Sequence, residues 1–326
     1  MRAWTIIAKG EPLEVLKLAE RTLPPPDAGQ LAIRVIASGL ALPDVAMCRG
    51  TYQLTPPTPF TPGLDFVGSV IAAGPDTTMP IGARVMGISA FHLGHGSLAQ
   101  ECLAREGAVY PVPEDMDDPT AAAFTIAYLT AYVGLIWRGR MSAGETVLVH
   151  GATGGTGAAA VQLAKAKGAR VIATAGTPQK VALSLAAGAD VAIDYNAADF
   201  VEEVMAATDG RGVDIVYDPV GGEMFERSIE CTARDGRLLP IGSACGRWGA
   251  VSSSEFTRRG ISVVGVMPTG YPRTSMLAMH DELSGLYRHG KIIAPIDRIV
   301  GFEEAPRHLQ DMADRKVNGR VVVICE

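Results

Sequence analysis

The run Val147-Leu148-Val149-His150-Gly151-Ala152-Thr153-Gly154-Gly155-Thr156-Gly157 carries the sharpest chemical signal in the chain: an apolar strand enters a glycine-rich turn and then the helical run Ala158–Lys167. Glycines let such a turn tighten and let the backbone approach a pyrophosphate, while free N–H groups and the dipole at the helix start hold negative charge. Gly154, Gly155, Thr156 and Gly157 are the candidate phosphate contacts. The spacing is G-x-x-G-G-x-G rather than G-x-G-x-x-G, and taken alone it also suits a plain strand-to-helix connection. Its place at the head of a strand–helix alternation favours the dinucleotide reading. An acid about 20 positions beyond the glycines would bind the ribose hydroxyls of NAD. The chain has none there and reads Ala173-Thr174-Ala175-Gly176-Thr177-Pro178-Gln179-Lys180. Small residues, Gly176 among them, leave space, and Lys180 in the first helical turn can meet a 2′-phosphate. NADPH is therefore expected over NADH; the alternative for Lys180 is a solvated surface lysine.

Metal chemistry has weaker support. His92 and His95 stand three apart in a glycine-rich loop, and zinc would need further ligands that the sequence does not offer nearby. Cys48, Cys102, Cys231, Cys245 and Cys325 are scattered and contain no C-x-x-C pair, which suggests neither a zinc knuckle nor a disulfide framework and fits a reducing cytoplasm.

The elements that must position the turn are clearest in the middle of the chain. Candidate strands Thr146–His150, Ala169–Thr174, Asp190–Asp194, Val213–Tyr217, Arg237–Ile241 and Ile261–Val266 alternate with helical patterns, the sign of a doubly wound parallel six-stranded sheet of the Rossmann kind over residues 121–267. Thr177 can cap, Pro178 can open and Gly188 can end a helix over Gln179–Ala187. Residues 1–120 differ, with strand-like runs Leu31–Ala37 and Phe66–Ala73 among proline-rich loops, and read as mainly β. Residues 268–326 give a helix near Ser275–His289, a strand near Ala294–Val300, a helix near Glu303–Arg315 and a strand Arg320–Ile324. Sixty residues are few for a separate domain, so this tail is expected to rejoin residues 1–120.

Composition bounds the rest. The 326 residues suffice for two cores, and 48% hydrophobic with 20% charged residues marks an ordinary globular chain. A net charge of −6 disfavours nucleic acid or an anionic membrane as a bulk partner. The apolar start of the chain is broken by Lys9 and too short for a secretion signal. The charge-free stretch Pro119–Trp137 has membrane length but opens with proline and holds Thr120, Thr125 and Thr130, so it is expected to be a buried helix.

Several motifs in order give the chain a family likeness. The glycine-rich turn, Gly176-Thr177-Pro178-Gln179-Lys180, Asp194-Tyr195, Ala37-Ser38-Gly39-Leu40 with Asp44, Arg49-Gly50-Thr51-Tyr52, Pro59-Phe60-Thr61-Pro62-Gly63, Leu129-Thr130-Ala131-Tyr132, Val216-Tyr217-Asp218-Pro219-Val220-Gly221-Gly222 and Gly236-Arg237-Leu238-Leu239-Pro240-Ile241-Gly242 resemble the NADPH:quinone oxidoreductases of the zeta-crystallin type. These are zinc-free medium-chain dehydrogenase/reductases. The resemblance implies an α/β protein with a GroES-like, mainly β catalytic domain, a Rossmann domain, a cleft between them, and usually a homodimer. It implies 2′-phosphate contacts from Lys180 and Tyr195, pyrophosphate contacts from Gly154 and Gly155, and nicotinamide-side contacts from Thr130, Gly242 and Ser243. For Tyr195 the alternative is a buried core tyrosine.

Zinc alcohol dehydrogenases of similar architecture place ligands where this chain has Ala41 and Leu64, neither of which offers a donor. Without a Lewis acid, hydride addition to a quinone or another conjugated carbonyl is favoured over simple alcohol–ketone interconversion. Tyr52 is the candidate proton donor or relay, with a packing role as the alternative, and Asp44 is expected to support its loop by hydrogen bonding. Ala41 stands where the family commonly has asparagine, which leaves the acceptor class open, and Pro219 stands where it has serine, which removes a polar contact to the cofactor. The expected function is NADPH-dependent reduction of quinones by hydride transfer without zinc. The alternatives are enones or enoyl thioesters as acceptors, a cofactor-binding protein without turnover, or a zinc alcohol dehydrogenase.

Overall fold

Buried strands dictate the architecture. Val147, Leu148 and Val149 are fully buried, as are Val171, Ile172, Ile215, Val216, Leu238 and Leu239, which is the pattern of strands covered on both faces in a parallel sheet. The computed structural model describes residues 1–325. In chain order its strands are β1 (Arg2–Ile6), β2 (Leu16–Glu20), β3 (Gln30–Leu40), β4 (Asp65–Ala73), β5 (Arg84–Ser89), β6 (Glu101–Pro111), β7 (Thr146–Val149), β8 (Arg170–Ala175), β9 (Val191–Asp194), β10 (Val213–Asp218), β11 (Thr232–Pro240), β12 (Ser262–Val263), β13 (Ile296–Gly301) and β14 (Arg320–Ile324).

The chain divides into two units. One comprises Met1–Ile126, Tyr271–Ser284 and the residues from Ala294 onward; the other comprises Ala127–Gly270 and Gly285–Ile293. In the first, a six-stranded sheet runs β13-β14-β3-β4-β5-β6, and β6 also pairs with β3, so that part of the sheet closes on itself. Register shifts in the β3–β4 ladder at Ala32/Ile33 and Val35/Ala37 bend the strands toward that closure. Ile33, Phe60, Phe66, Val85 and Val323 fill its core.

In the second unit six parallel strands run β12-β11-β10-β7-β8-β9, the doubly wound order that reverses between β7 and β10. Leu148, Ile172, Phe200, Val216 and Leu238 are in its core. Residues 285–293 join this unit through Ile293, whose N–H donates to Gln162 Oε1 at 2.7 Å while its carbonyl accepts from the Tyr128 hydroxyl at 2.7 Å. The helix after β8 spans Pro178–Ala186; Thr177 Oγ1 accepts from Lys180 N at 3.2 Å, and Gly188 follows at φ 110°. The charge-free stretch becomes the helix Asp118–Tyr132, which continues as a π-helical turn over Val133–Arg138. Asp118–Arg138 is long and apolar enough to cross a membrane, but most of it is buried inside the fold. The expected strand Ile261–Val266 is reduced to Ser262–Val263, because it lies at the sheet edge and only those two residues pair with β11.

Candidate functional site

The glycine-rich turn opens at the C-terminal end of β7. Gly151 takes φ 55°, Gly154 N donates to Gly151 O at 2.9 Å, and the helix Gly155–Ala166 begins with Gly154 as its cap. No side chain caps this helix start, so its first-turn N–H groups are available to an anion. A Cβ on Gly157 would stand 2.2 Å from Gly151 O, so the helix can pack this closely on the turn only with glycine there. Thr156 Oγ1 shares a 2.5 Å hydrogen bond with the Tyr217 hydroxyl. His150, just before the turn, is fully buried, with Nδ1 2.8 Å from Thr174 Oγ1 and Nε2 2.7 Å from Ser228 Oγ. Burial pushes its pKa down to about 3, so the ring is a neutral cross-link between the ends of β7, β8 and the helix Gly222–Ser228.

At the end of β8 the structure brings Gly176 and Tyr195 together. A Cβ on Gly176 would lie 2.5 Å from the Tyr195 hydroxyl, and Asn196 Nδ2 holds Gly176 O at 2.7 Å. Tyr195 is 38% exposed, which removes the buried-core alternative for its phenol. Lys180 is half-buried in the first turn of the helix that follows. A cavity of about 530 Å³ is lined by Tyr195, Asn196, Asp199, Gly221, Arg227 and Cys245.

At the topological switch, Asp218 ends β10 and ties down two loops. Its carboxylate accepts from Val220 N at 2.8 Å and Gly221 N at 3.0 Å, and its carbonyl accepts from Ile241 N at 2.8 Å and Gly242 N at 3.3 Å. Burial pushes the Asp218 carboxyl up to about 6, with the two backbone donors opposing the shift. Gly242 lines a second cavity of about 360 Å³ with Asp218, Phe225, Trp248, Phe256 and Val263; Ser243 follows it in the same loop. Thr130 lies buried on the helix Asp118–Tyr132.

Tyr52 belongs to the other unit. The helix Leu42–Arg49 ends at Gly50 with φ 68°, and Tyr52 N then donates to Ala46 O at 3.3 Å. The half-buried ring lies 6.1 Å from that of Phe91, and among the described residues the phenol has no hydrogen-bond partner. Burial, and secondarily the nearby Asp44 carboxyl when ionised, raise its pKa and keep it protonated. Asp44 is buried and accepts from Ala41 N and Gly63 N, both at 2.9 Å, with its carboxyl pushed by burial up to about 7. It fastens the start of the helix to the Pro62-Gly63 turn.

The zinc positions hold apolar, buried Ala41 and Leu64, and the neighbouring carboxylate, Asp65, is committed elsewhere: it accepts from Ile126 N at 3.0 Å and pairs with buried Arg320. Among the described residues no group of three His, Cys, Asp or Glu side chains is placed to hold a metal, His92 and His95 included. These residues do not fit zinc. Sequence reasoning missed the roles of Tyr217, Asp218, His150 and the Asp65–Arg320 pair. Tyr217 and Asp218 stood inside a recognised motif, but their partners are distant in sequence.

A doubly wound parallel sheet with an uncapped glycine-rich helix start, joined to a mainly β unit, defines a dinucleotide-binding protein of two units. Residues 27–114 match the alcohol dehydrogenase GroES-like domain, and residues 155–284 match the zinc-binding dehydrogenase family. The chain is 31% identical over 318 residues to quinone oxidoreductase-like protein 2 of Rattus norvegicus, covering 96% of this chain and 89% of that protein. It is 34% identical over 245 residues to the quinone oxidoreductase of Homo sapiens, covering 74% and 73%. Among solved structures, a mycobacterial protein complexed with NADPH superposes with a TM-score of 0.90 at 30% identity, covering 99% of this chain and 100% of that one. A quinone oxidoreductase from Pseudomonas syringae superposes with a TM-score of 0.89 at 26% identity, covering 99% of each. The chain belongs to the medium-chain dehydrogenase/reductase family of oxidoreductases, with quinone oxidoreductases among its relatives.

Proposed function

We propose that this oxidoreductase uses NADPH to reduce quinones by hydride transfer without zinc. The observation that carries the cofactor choice is the end of β8, where no acid stands and Gly176 lets the exposed Tyr195 phenol close over the backbone, with Lys180 one helical turn on. In this reading Lys180 and Tyr195 bind the 2′-phosphate, and Gly154, Gly155, Thr156 and Gly157 hold the pyrophosphate through the helix start. Thr130, Gly242 and Ser243 take the nicotinamide side, where the rigid Asp218 turn fixes the loop. NADPH supplies a hydride when bound. A conjugated acceptor delocalises the charge that then develops, which suits a chain whose Ala41 and Leu64 offer no metal donor. Tyr52 is the proton donor in this reading, because its phenol is protonated and uncommitted. Enones and enoyl thioesters accept hydride by the same chemistry.

Titration of the wild type and Lys180→Ala with NADPH and NADH tests the cofactor assignment. Wild type should prefer NADPH at least tenfold, about 1.4 kcal/mol, and the variant should lose that preference. Equal binding of both cofactors by wild type, or an unchanged preference in the variant, would sink it. For Tyr52→Phe, kcat with a quinone should fall about 10²-fold while NADPH affinity and thermal stability hold, as expected for loss of a general acid. A wild-type kcat would return Tyr52 to a packing role.

A further inference from the structure

Tyr217 lies fully buried on β10, and it holds the glycine-rich turn at both ends. Its carbonyl accepts from His150 N at 3.1 Å, immediately before the turn, and its hydroxyl meets Thr156 Oγ1 at 2.5 Å, immediately after the helix begins. The ring is backed by the π-helical turn Val133–Arg138, whose C-terminal end is closed by Gly139 N donating to Gly134 O at 2.7 Å. A Cβ on Gly134 would stand 3.0 Å from Tyr217 Cε2, so the phenol is wedged between that turn and Thr156.

A threonine hydroxyl has one proton and two lone pairs. If Thr156 donated to Tyr217, only its lone pairs would face an anion at the helix start. If Tyr217 donates, the Thr156 proton is free to point at that anion. Burial raises the Tyr217 pKa, with the Thr156 bond opposing, so the phenol keeps its proton and can act as donor. Thr156 is only partly buried, in the first turn of the helix Gly155–Ala166.

We infer that Tyr217 is a positioning residue of the dinucleotide site: its phenol donates to Thr156 Oγ1 and so turns the single Thr156 proton toward the bound pyrophosphate. This rests on the reading of the glycine-rich turn as the pyrophosphate site.

The test is calorimetric titration of wild type, Tyr217→Phe, Thr156→Val, Thr156→Ser and the Tyr217→Phe/Thr156→Val double variant with NADPH, NADH and adenosine 2′-monophosphate, which lacks the pyrophosphate. Tyr217→Phe and Thr156→Val should each weaken NADPH and NADH alike by about tenfold, as for loss of a charge-assisted hydrogen bond. Both should leave adenosine 2′-monophosphate within twofold of wild type. Thr156→Ser should bind like wild type, and the double variant should be no worse than Thr156→Val alone. A Tyr217→Phe loss that persists in full on the Thr156→Val background, or that extends to adenosine 2′-monophosphate, overturns the inference in favour of general loosening. Wild-type NADPH affinity in Tyr217→Phe overturns it while leaving the cofactor reading intact. Failure of the wild type to bind either dinucleotide overturns that reading and this inference with it.

Discussion

Gly157→Ala is expected to weaken NADPH binding by about 10³-fold, or about 4 kcal/mol, while the remainder of the fold persists. The new Cβ would meet Gly151 O at 2.2 Å, Gly151 C at 2.9 Å and Ala152 Cα at 3.1 Å. All three are backbone atoms, so no side chain can rotate away; either the helix start or the turn must move. The turn is not free to yield alone, because Gly154 N donates to Gly151 O, His150 N to Tyr217 O and Ala152 N to Thr174 O. Movement of the helix start swings its N–H groups off the phosphate direction and surrenders their combined dipole. Calorimetric titration measures the effect, and a dissociation constant within threefold of wild type would show that the close approach does not shape the site.

Arg320→Leu is expected to destabilise the fold by about 3–5 kcal/mol near neutral pH, the cost of leaving a buried charge without its partner. Asp65 is 0% and Arg320 4% exposed, and the guanidinium also donates to Gly39 O at 3.2 Å. The intact pair is not thereby a large net stabiliser, since both ions are desolvated to form it. Burial raises the Asp65 carboxyl to about 6, with Arg320 pulling it back toward the ordinary range. Because this folded-state pKa lies above the unfolded value of about 3.9, the native state binds more protons between the two, and the Asp65 contribution falls as pH rises through that window. Without Arg320 the raising is larger still, so the variant's deficit should shrink on going from pH 7.5 to pH 5. Denaturant unfolding of both proteins at the two pH values tests this, and an equal deficit at both would mean that lost packing rather than an orphaned carboxylate is responsible.

The parallel sheet was readable from the chain because its strands are covered on both faces and therefore carry short, unbroken apolar stretches, as in Val147–Val149 and Val171–Ala173. The helix after β8 announced itself through Thr177, Pro178 and Gly188, whose effects act within a few residues. The mainly β unit was read only in outline. β6 carries Glu101, Arg105, Glu106 and Gly107, and β1 and β2 form a small separate sheet, so neither shows a clean apolar run. β12 pairs with β11 only at Ser262 and Val263 although β11 runs on to Pro240, an extent that the residues of β12 do not encode. The π-helical turn after Tyr132 likewise has no local signature; what sits beside it is the Tyr217 ring, 83 positions beyond Gly134 in the chain.

The candidate site divides in the same way. Glycine spacing and the missing acid beyond β8 are properties of residue types at short separations, and the sequence alone determined a glycine-rich strand-to-helix turn and the donor-free side chains of Ala41 and Leu64. Tertiary structure decided which groups are buried and which hydroxyls meet. Thr156 meets Tyr217 across 61 positions, His150 meets Ser228 across 78, and Asp65 meets Arg320 across 255. The physical reason is range: backbone conformation and amphipathic period are set by neighbours along the chain, whereas hydrogen bonds, ion pairs and desolvation depend on distances through space that exist only once the sheets have closed.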